Sequence, residues 1–242
     1  YLPINPHCLQ IKITDNIINI AYCSTVNHLK NVALSAISII NRTKSKINFY
    51  VFTSEKFQKA NTIFDQIEKE THHQAHFLFD YISYDMVANA FNYKRGDWNA
   101  YAFARCFMIN IIPVSKCIYL DTDVFGCGDV SELWNINIGN NLIAGALDAL
   151  PFKKFLRNEY FPQLNSFINN EEMLKMNGTG LTHENYLNSG VLVLNINELK
   201  KIDFTNKSVI LWNTKKLLFV DQDLFNIIAG HRRVVVDIKF NK

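Results

Sequence analysis

Short, nearly all-apolar runs alternate with amphipathic stretches along most of this chain, and that alternation leaves few architectures open. "IINIAYC" (17–23) reads as a buried strand. "INFYVF" (47–52), "HFLFDYIS" (76–83), "CIYLD" (117–121), "LIAGALD" (142–148), "GVLVLN" (190–195) and "RVVVD" (233–237) follow it. Continuous apolar character is what strands covered on both faces require. Between them, Leu29, Val32, Ala33, Ala36, Ile37 and Ile40 fall at helical spacing. Helices are also expected over residues 55–70, 100–112 and around 221–230. The expected fold is α/β: a single mixed, mostly parallel sheet flanked by helices, in one domain over residues 1–242.

Composition narrows the function classes. A chain of 242 residues, 48% hydrophobic, has material for one large core. The net charge is only +3 and Lys and Arg are scattered, so no basic stripe suggests nucleic acid as a partner. Pro113 and Lys116 interrupt the longest apolar run, "FMINIIPVSKCIYL", so no membrane-spanning helix is expected. No basic segment precedes an apolar one at the N-terminus, so a secretory leader is not expected either. The cysteines, Cys8, Cys23, Cys106, Cys117 and Cys127, are odd in number and lack a CxxC, as in a cytoplasmic protein with reduced thiols.

The stretch "CIYLDTDVFGCGDVSELW" raises a chemical question. It ends an apolar strand in Asp121 and Asp123, like charges that repel and lose hydration in a closed site. If both continue the strand geometry, their carboxylates share one face at its C-terminal end, where open α/β sheets bind ligands. Such hard oxygen donors suit Mg²⁺ or Mn²⁺, which also bind substrate phosphates. The alternative is a solvated turn in which Asp caps backbone amides. A phosphatase of the haloacid-dehalogenase type would place Thr or Val where Phe125 stands, and its motif near the N-terminus. Two further segments are "YLNSGVLVLNINELKK", with Asn188, Ser189 and Gly190 before a strand, and "LFVDQDLFNII", with Asp221, Gln222 and Asp223 opening a helix. Carboxylates in a first helical turn favour the macrodipole, but Gln222 has no such reason to be there.

In this order and spacing, "YLDTDVFGCGDVSELW", "NSGVLVLNINELKK" and "DQDLFNII" resemble the retaining glycosyltransferases of family 8, which have the nucleotide-sugar fold termed GT-A. Bacterial lipooligosaccharide galactosyl- and glucosyltransferases belong to that family, and glycogenin is a relative. The resemblance covers roughly Ile18 to the end. It implies transfer of glucose or galactose from a UDP-sugar donor to a glycan or glycolipid acceptor such as lipopolysaccharide, with Mn²⁺ (or Mg²⁺) held by Asp121 and Asp123. Arg105, in "AYAFARCF" with Phe103 in place of the family's Tyr, would contact the sugar or diphosphate. Asp148 and Asn188, with the adjacent Ser189, would hold the donor sugar. Asp221 and Gln222 would lie beneath the anomeric carbon as the catalytic side chains. The chemistry is compatible with front-face attack by the acceptor hydroxyl, with Asp221 as an alternative nucleophile. The implied location is the cytoplasm or the inner face of the membrane.

Two departures accompany the resemblance. The first loop, "YCSTVNHL", lacks the family's acidic "DDNY"-like motif, leaving backbone groups of Tyr22 and Cys23, with Ser24, Thr25 or Asn27, to bind uracil. The sequence stops at "VVVDIKFNK", ahead of a "HxxGxxKPW"-like segment carrying the third metal ligand and of a basic tail for peripheral membrane attachment. A catalytically weak nucleotide- or glycan-binding domain is therefore the alternative. His231 reads as a helix-end charge and His72, His73 and His76 as a surface loop. Lys94 or Arg95 could reach phosphate, and residues 151–184 read as an irregular excursion that sets acceptor choice.

Overall fold

The computed structural model describes residues 17–93, 99–148, 185–215, 217 and 219–241. β1 (Ile17–Ser24) and β2 (Lys46–Thr53) are apolar almost throughout because each is buried on both faces. β3 (Ala75–Tyr81), β4 (Lys116–Leu120), β5 (Ile143–Leu147), β6 (Leu187–Asn195) and β7 (Arg233–Val236) complete one seven-stranded sheet in the order β3-β2-β1-β4-β6-β5-β7. The β1, β2, β3 and β4 pairings are parallel, as is β5 with β7. β6 runs against both β4 and β5. The sheet is therefore mixed and mostly parallel, as the alternation implied.

Alternate side chains feed two cores. Ala21, Tyr50, Tyr119, Leu192 and Leu194 face one side, with α4 (Ala104–Ile111), α7 (Phe204–Thr214) and α8 (Val220–Ala229) packed over them. Ile20, Tyr22, Ile118, Leu120 and Val193 face the other, under α1 (Leu29–Ile40) and α2 (Ile63–Glu70).

Some expected boundaries move. The helix expected over 55–70 begins only at Ile63, because Asn61 adopts φ 62° and breaks the run. Phe57 instead packs on Phe64 and Phe79, with ring centroids 6.1 and 4.7 Å away. The segment 100–112 opens as a 3₁₀ turn, Ala100–Phe103, capped by Asn99, whose side-chain oxygen accepts the Tyr101 N–H at 2.9 Å. Helices α3 (Tyr84–Ala90), α5 (Ser131–Trp134), α6 (Ile196–Lys201) and α7 were not expected. α7 carries Thr205, Val209 and Ile210, all weak helix formers. Tertiary packing holds it: Phe204 stacks on Phe225 at 4.7 Å and Trp212 meets Phe103 edge-on at 4.6 Å.

His72, His73 and His76 are exposed around the turn into β3, and His231 is exposed after α8. Cys23, Cys106, Cys117 and Cys127 are free thiols. Cys8, Lys94, Arg95 and the 151–184 segment lie outside the described residues. Among the described residues no helix is long and apolar enough to cross a membrane.

Candidate active site

The site forms where β4 and β6, side by side and antiparallel, meet the second residue of α4 and the first turn of α8. Arg105 is its hub. The residue is only 7% exposed, yet its guanidinium donates to Asp121 Oδ1 at 2.7 Å and to the Ser189 carbonyl at 3.1 Å. It also pairs with Asp221 Oδ2 at 3.0 Å and donates through Nε to the Ala102 carbonyl at 3.2 Å. Its flat face lies 4.3 Å from the Tyr119 ring centroid, and the Tyr119 hydroxyl donates to Asp121 Oδ1 at 3.0 Å. Burial opposes the charge on Arg105, and Asp121 and then Asp221 more than offset it, so its pKa is raised. Arg105 is thus not a helix-surface residue but a fixed buried cation, which only a fork of several donors can satisfy this way.

β4 ends at Leu120, so Asp121 and Asp123 do not share a strand face as expected. Asp121 still joins the ladder, its N–H donating to the Gly190 carbonyl at 2.8 Å; the chain then turns, with the Val124 N–H bonded to the Asp121 carbonyl at 3.2 Å. The turn was the alternative reading of this pair, but Asp121 serves Arg105 and Tyr119 in it and not backbone amides. Asp121 is partly buried and Asp123 is exposed. Asp121 Oδ1 is committed to Arg105 and Tyr119, while Oδ2 faces Gly190, where an added Cβ would lie only 3.2 Å from it. Glycine at 190 therefore keeps the space in front of that oxygen open. Asp123 makes no hydrogen bond or ion pair among the described residues. Together they offer hard oxygen donors that fit a divalent cation. Among the described residues no three His, Cys, Asp or Glu side chains form a complete metal cage, so further ligands would come from substrate or elsewhere.

The loop after Asp123 is strapped to α1. Ser35 Oγ donates to the Val124 carbonyl at 2.5 Å, and Ser38 Oγ accepts the Gly126 N–H at 2.8 Å. A Cβ on Gly126 would lie 2.9 Å from Ile39 Cγ1, so only glycine allows this approach. The loop borders a groove of about 770 Å³ that Asp121, Asp123, Asn188, Gly190, Lys239 and Asn241 also line.

α8 supplies the remaining side chains of the site. Val220 enters it at φ 33°, a left-handed value rare for a β-branched residue, so its surroundings must hold the turn that delivers Asp221. Asp223 Oδ2 accepts the Phe219 N–H at 2.9 Å, which satisfies one free amide of the helix start, while Asp221 points away to Arg105. Ser189 Oγ donates to Asp221 Oδ2 at 3.1 Å. Gln222 Oε1 accepts the Ser189 N–H at 3.0 Å and Nε2 donates to Asp148 Oδ2 at 2.7 Å, an amide orientation that this network assigns.

Asp221 shares one guanidinium with Asp121. Burial lifts its pKa from 3.8 to about 6, Arg105 opposes that rise, and Asp121 adds to it. The sign of the consequence follows from the raised value. Between about pH 4 and pH 6 the unfolded chain releases this proton while the folded chain keeps it, so stability falls as pH rises through that window. The contribution is at most about 3 kcal/mol. Unfolding free energies of the native chain and Asp221→Asn should converge or diverge by that amount across the window, with the slope belonging to the native chain; parallel curves would contradict the assignment.

Arg105, Asp121, Asp148, Ser189, Asp221 and Gln222 thus belong to one hydrogen-bonded network. Asn188 adjoins it, its Oδ1 accepting from the Gly190 N–H at 2.8 Å and from Asn241 Nδ2 at 2.7 Å. The first-loop residues are not bonded to it. The Tyr22 ring turns to the α1 side, its hydroxyl 2.8 Å from Ser35 Oγ, so only its backbone is left for a ligand. Cys23 faces the Arg105 side beside Met108, and burial pushes its thiol pKa up. Ser24 Oγ donates to the Thr25 carbonyl at 2.9 Å, and Thr25 Oγ1 lies 3.0 Å from His28 Nδ1. Tyr119, Tyr186 and Asn226 join the site without having been singled out. Asn226 carried a readable signal, a lone polar residue in "LFNII" four positions after Gln222 and so on the same helix face.

The chain has relatives in sequence and in fold. A putative glycosyltransferase of Haemophilus influenzae is 26% identical over 231 residues, 92% of this chain and 62% of its own length. A lipopolysaccharide 1,2-glucosyltransferase of Escherichia coli is 23% identical over 94% of this chain and 63% of its own length. The chain spans somewhat less than two thirds of either relative. Among solved structures, galactosyltransferase LgtC in complex with donor and acceptor sugar analogs superposes with a TM-score of 0.71, at 18% identity over 92% of this chain and 74% of its own. The bifunctional glycosyltransferase WbbM gives 0.68 at 18% identity, over 95% of this chain and 40% of its own. These likenesses establish the GT-A fold. The sequence matches glycosyl transferase family 8 over residues 19–242, and the protein belongs to that family.

Proposed function

We propose that the protein is a retaining hexosyltransferase that moves glucose or galactose from a UDP-sugar to a glycan acceptor of the lipopolysaccharide kind. The observation that carries this reading is the bridge Arg105 makes between Asp121 and Asp221. It joins the acidic pair suited to a metal-bound diphosphate to the helix that presents Gln222. Asp121 and Asp123 would hold Mn²⁺ or Mg²⁺, which when bound supplies positive charge against the diphosphate. Arg105 adds a second fixed charge where the leaving diphosphate becomes more negative, and it needs no reorganisation to do so. Asp148 would accept from a sugar hydroxyl, and Asn188, whose Oδ1 already accepts from Gly190 and Asn241, would donate to one through Nδ2. Gln222 is a poor nucleophile held in one orientation, so its role is to stabilise the positively charged sugar carbon while the acceptor hydroxyl attacks from the departing side. The proton of that hydroxyl then passes to the leaving phosphate. Backbone groups at Tyr22 and Cys23, with Ser24 or Thr25, would receive the base. Divalent-metal dependence fits the carboxylate pair, an acceptor of the lipopolysaccharide kind fits the Escherichia coli relative, and the proposed place of action is the cytoplasm or the inner face of the membrane.

Incubation with a panel of nucleotide hexoses and Mn²⁺, followed by measurement of nucleoside diphosphate release, tests this. UDP released from UDP-glucose or UDP-galactose, stopped by chelation, is expected. Release from none of the panel, or phosphate release without sugar transfer, would overturn it.

A further inference from the structure

We infer that Asn226 is a positioning residue that acts through Gln222, an inference that rests on the sugar-transfer reading above. The residue is 1% exposed and sits one turn along α8 from Gln222. The carboxamide behaves as a stand-in for a neighbouring strand. Oδ1 accepts the Leu187 N–H at 2.8 Å and Nδ2 donates to the Leu187 carbonyl at 2.8 Å, satisfying both backbone groups of one residue. The same Nδ2 lies 3.0 Å from the Gln222 carbonyl, so one amide ties α8 to the lead-in of β6.

The consequence for Gln222 is geometric. Leu187 precedes Asn188 and Ser189, and the Ser189 N–H fixes Gln222 Oε1 from the strand side. Tyr186 adds a parallel anchor one residue earlier: its hydroxyl donates to Asp223 Oδ1 at 2.6 Å, and its carbonyl accepts the Asp148 N–H at 2.9 Å. Tyr186 with Asp223, Leu187 with Asn226, and Ser189 with Gln222 form three rungs between strand and helix, with Asn188 skipped. The middle rung alone uses both peptide groups of its strand residue, so it sets the height at which Gln222 meets Ser189 and Asp148. A displacement of about 1 Å at such a site can cost about a hundredfold in rate.

Donor-hydrolysis kinetics of Asn226→Ala, Gln222→Ala and the double variant test this. Asn226→Ala should lower kcat about tenfold with KM for the donor within about threefold, because uniform binding is untouched. In the Gln222→Ala background the same substitution should change kcat by less than about twofold, since its effect passes through the missing side chain. Equal drops in both backgrounds would make Asn226 merely structural and overturn the inference. Asn226→Asp, the same shape but with oxygen facing the Leu187 and Gln222 carbonyls, should be slower than Asn226→Ala. Side-chain amide exchange of Gln222, followed by NMR in glutamine-labelled protein, reads the same positioning without turnover. At least about tenfold faster exchange in Asn226→Ala is expected, and unchanged exchange would overturn the inference even if no donor is hydrolysed. Absence of hydrolysis by the native chain, with accelerated exchange in the variant, would fault the transfer reading alone.

Discussion

Arg105→Met should destabilise the protein by about 3–5 kcal/mol and abolish donor turnover. The loss follows from what the substitution leaves behind. Asp221, buried, keeps its desolvation cost without its counter-ion, and Asp121 loses the partner that offsets it. In a domain of this size that energy corresponds to a melting temperature lower by roughly 6–20 °C. The Ser189 and Ala102 carbonyls lose their donor as well. Arg105→Lys should rescue little, because an ammonium cannot reach four acceptors held in a guanidinium's plane. The decisive companion is Arg105→Met with Asp221→Asn: removing the orphaned charge should restore part of the stability and none of the turnover. A single variant as stable as the native chain, or a double variant no more stable than the single, would refute the buried-charge account.

Gln222→Ala should lower turnover about a hundredfold while leaving affinity for UDP within about threefold, as removal of one preorganised polar group in a transition-state site does. The side chain has two fixed partners, Ser189 N–H and Asp148, and neither belongs to the carboxylate pair that would meet the diphosphate. Binding and chemistry therefore separate at this residue. Stability should fall by about 1–3 kcal/mol, because the buried Ser189 amide loses its acceptor. The paired readout of kcat and UDP affinity checks both claims, and unchanged turnover would remove Gln222 from the mechanism.

The strand-and-helix succession was readable because both faces of the sheet are covered. Runs such as "INFYVF" and "GVLVLN" had to be apolar throughout, and each became a strand close to its expected bounds. The misplaced boundaries have local causes. Asn61 in a left-handed conformation ends the helix expected from residue 55, and nothing in the amphipathic pattern of "EKFQKANTIF" marks it. α7 escaped notice because tertiary contacts of Phe204 and Trp212 override its weak local propensity.

The site was legible as residue types and less so as connections. Asp121, Ser189, Asp221 and Gln222 were marked by polar chemistry at the end or start of an apolar element, Arg105 and Asp148 by the family resemblance alone, and the fold links all six. The linkage through Arg105 could not be read, because a cation within "AYAFARCF" gives no sign of which carboxylates it will meet. Tyr119 was hidden for the opposite reason. An aromatic in a buried strand reads as core, and only the fold shows its hydroxyl at Asp121. The paired carboxylates themselves make sense as a stored cost: Arg105 satisfies one oxygen of Asp121, and the remainder of the pair faces the groove.

The measurement that tests this account most directly is a thermal-shift titration with UDP and other nucleoside diphosphates, with and without Mn²⁺, on the native chain and on Asp123→Asn. Asp123 touches no other residue's polar atoms among those described, so its loss should leave the fold intact and remove only the metal site. At about a hundred times its dissociation constant a ligand adds ~2.7 kcal/mol, a rise of roughly 5 to 10 °C here. The account predicts that rise for UDP only with Mn²⁺ present, and its loss in Asp123→Asn. A shift that ignores Mn²⁺, or that survives in Asp123→Asn, would contradict it.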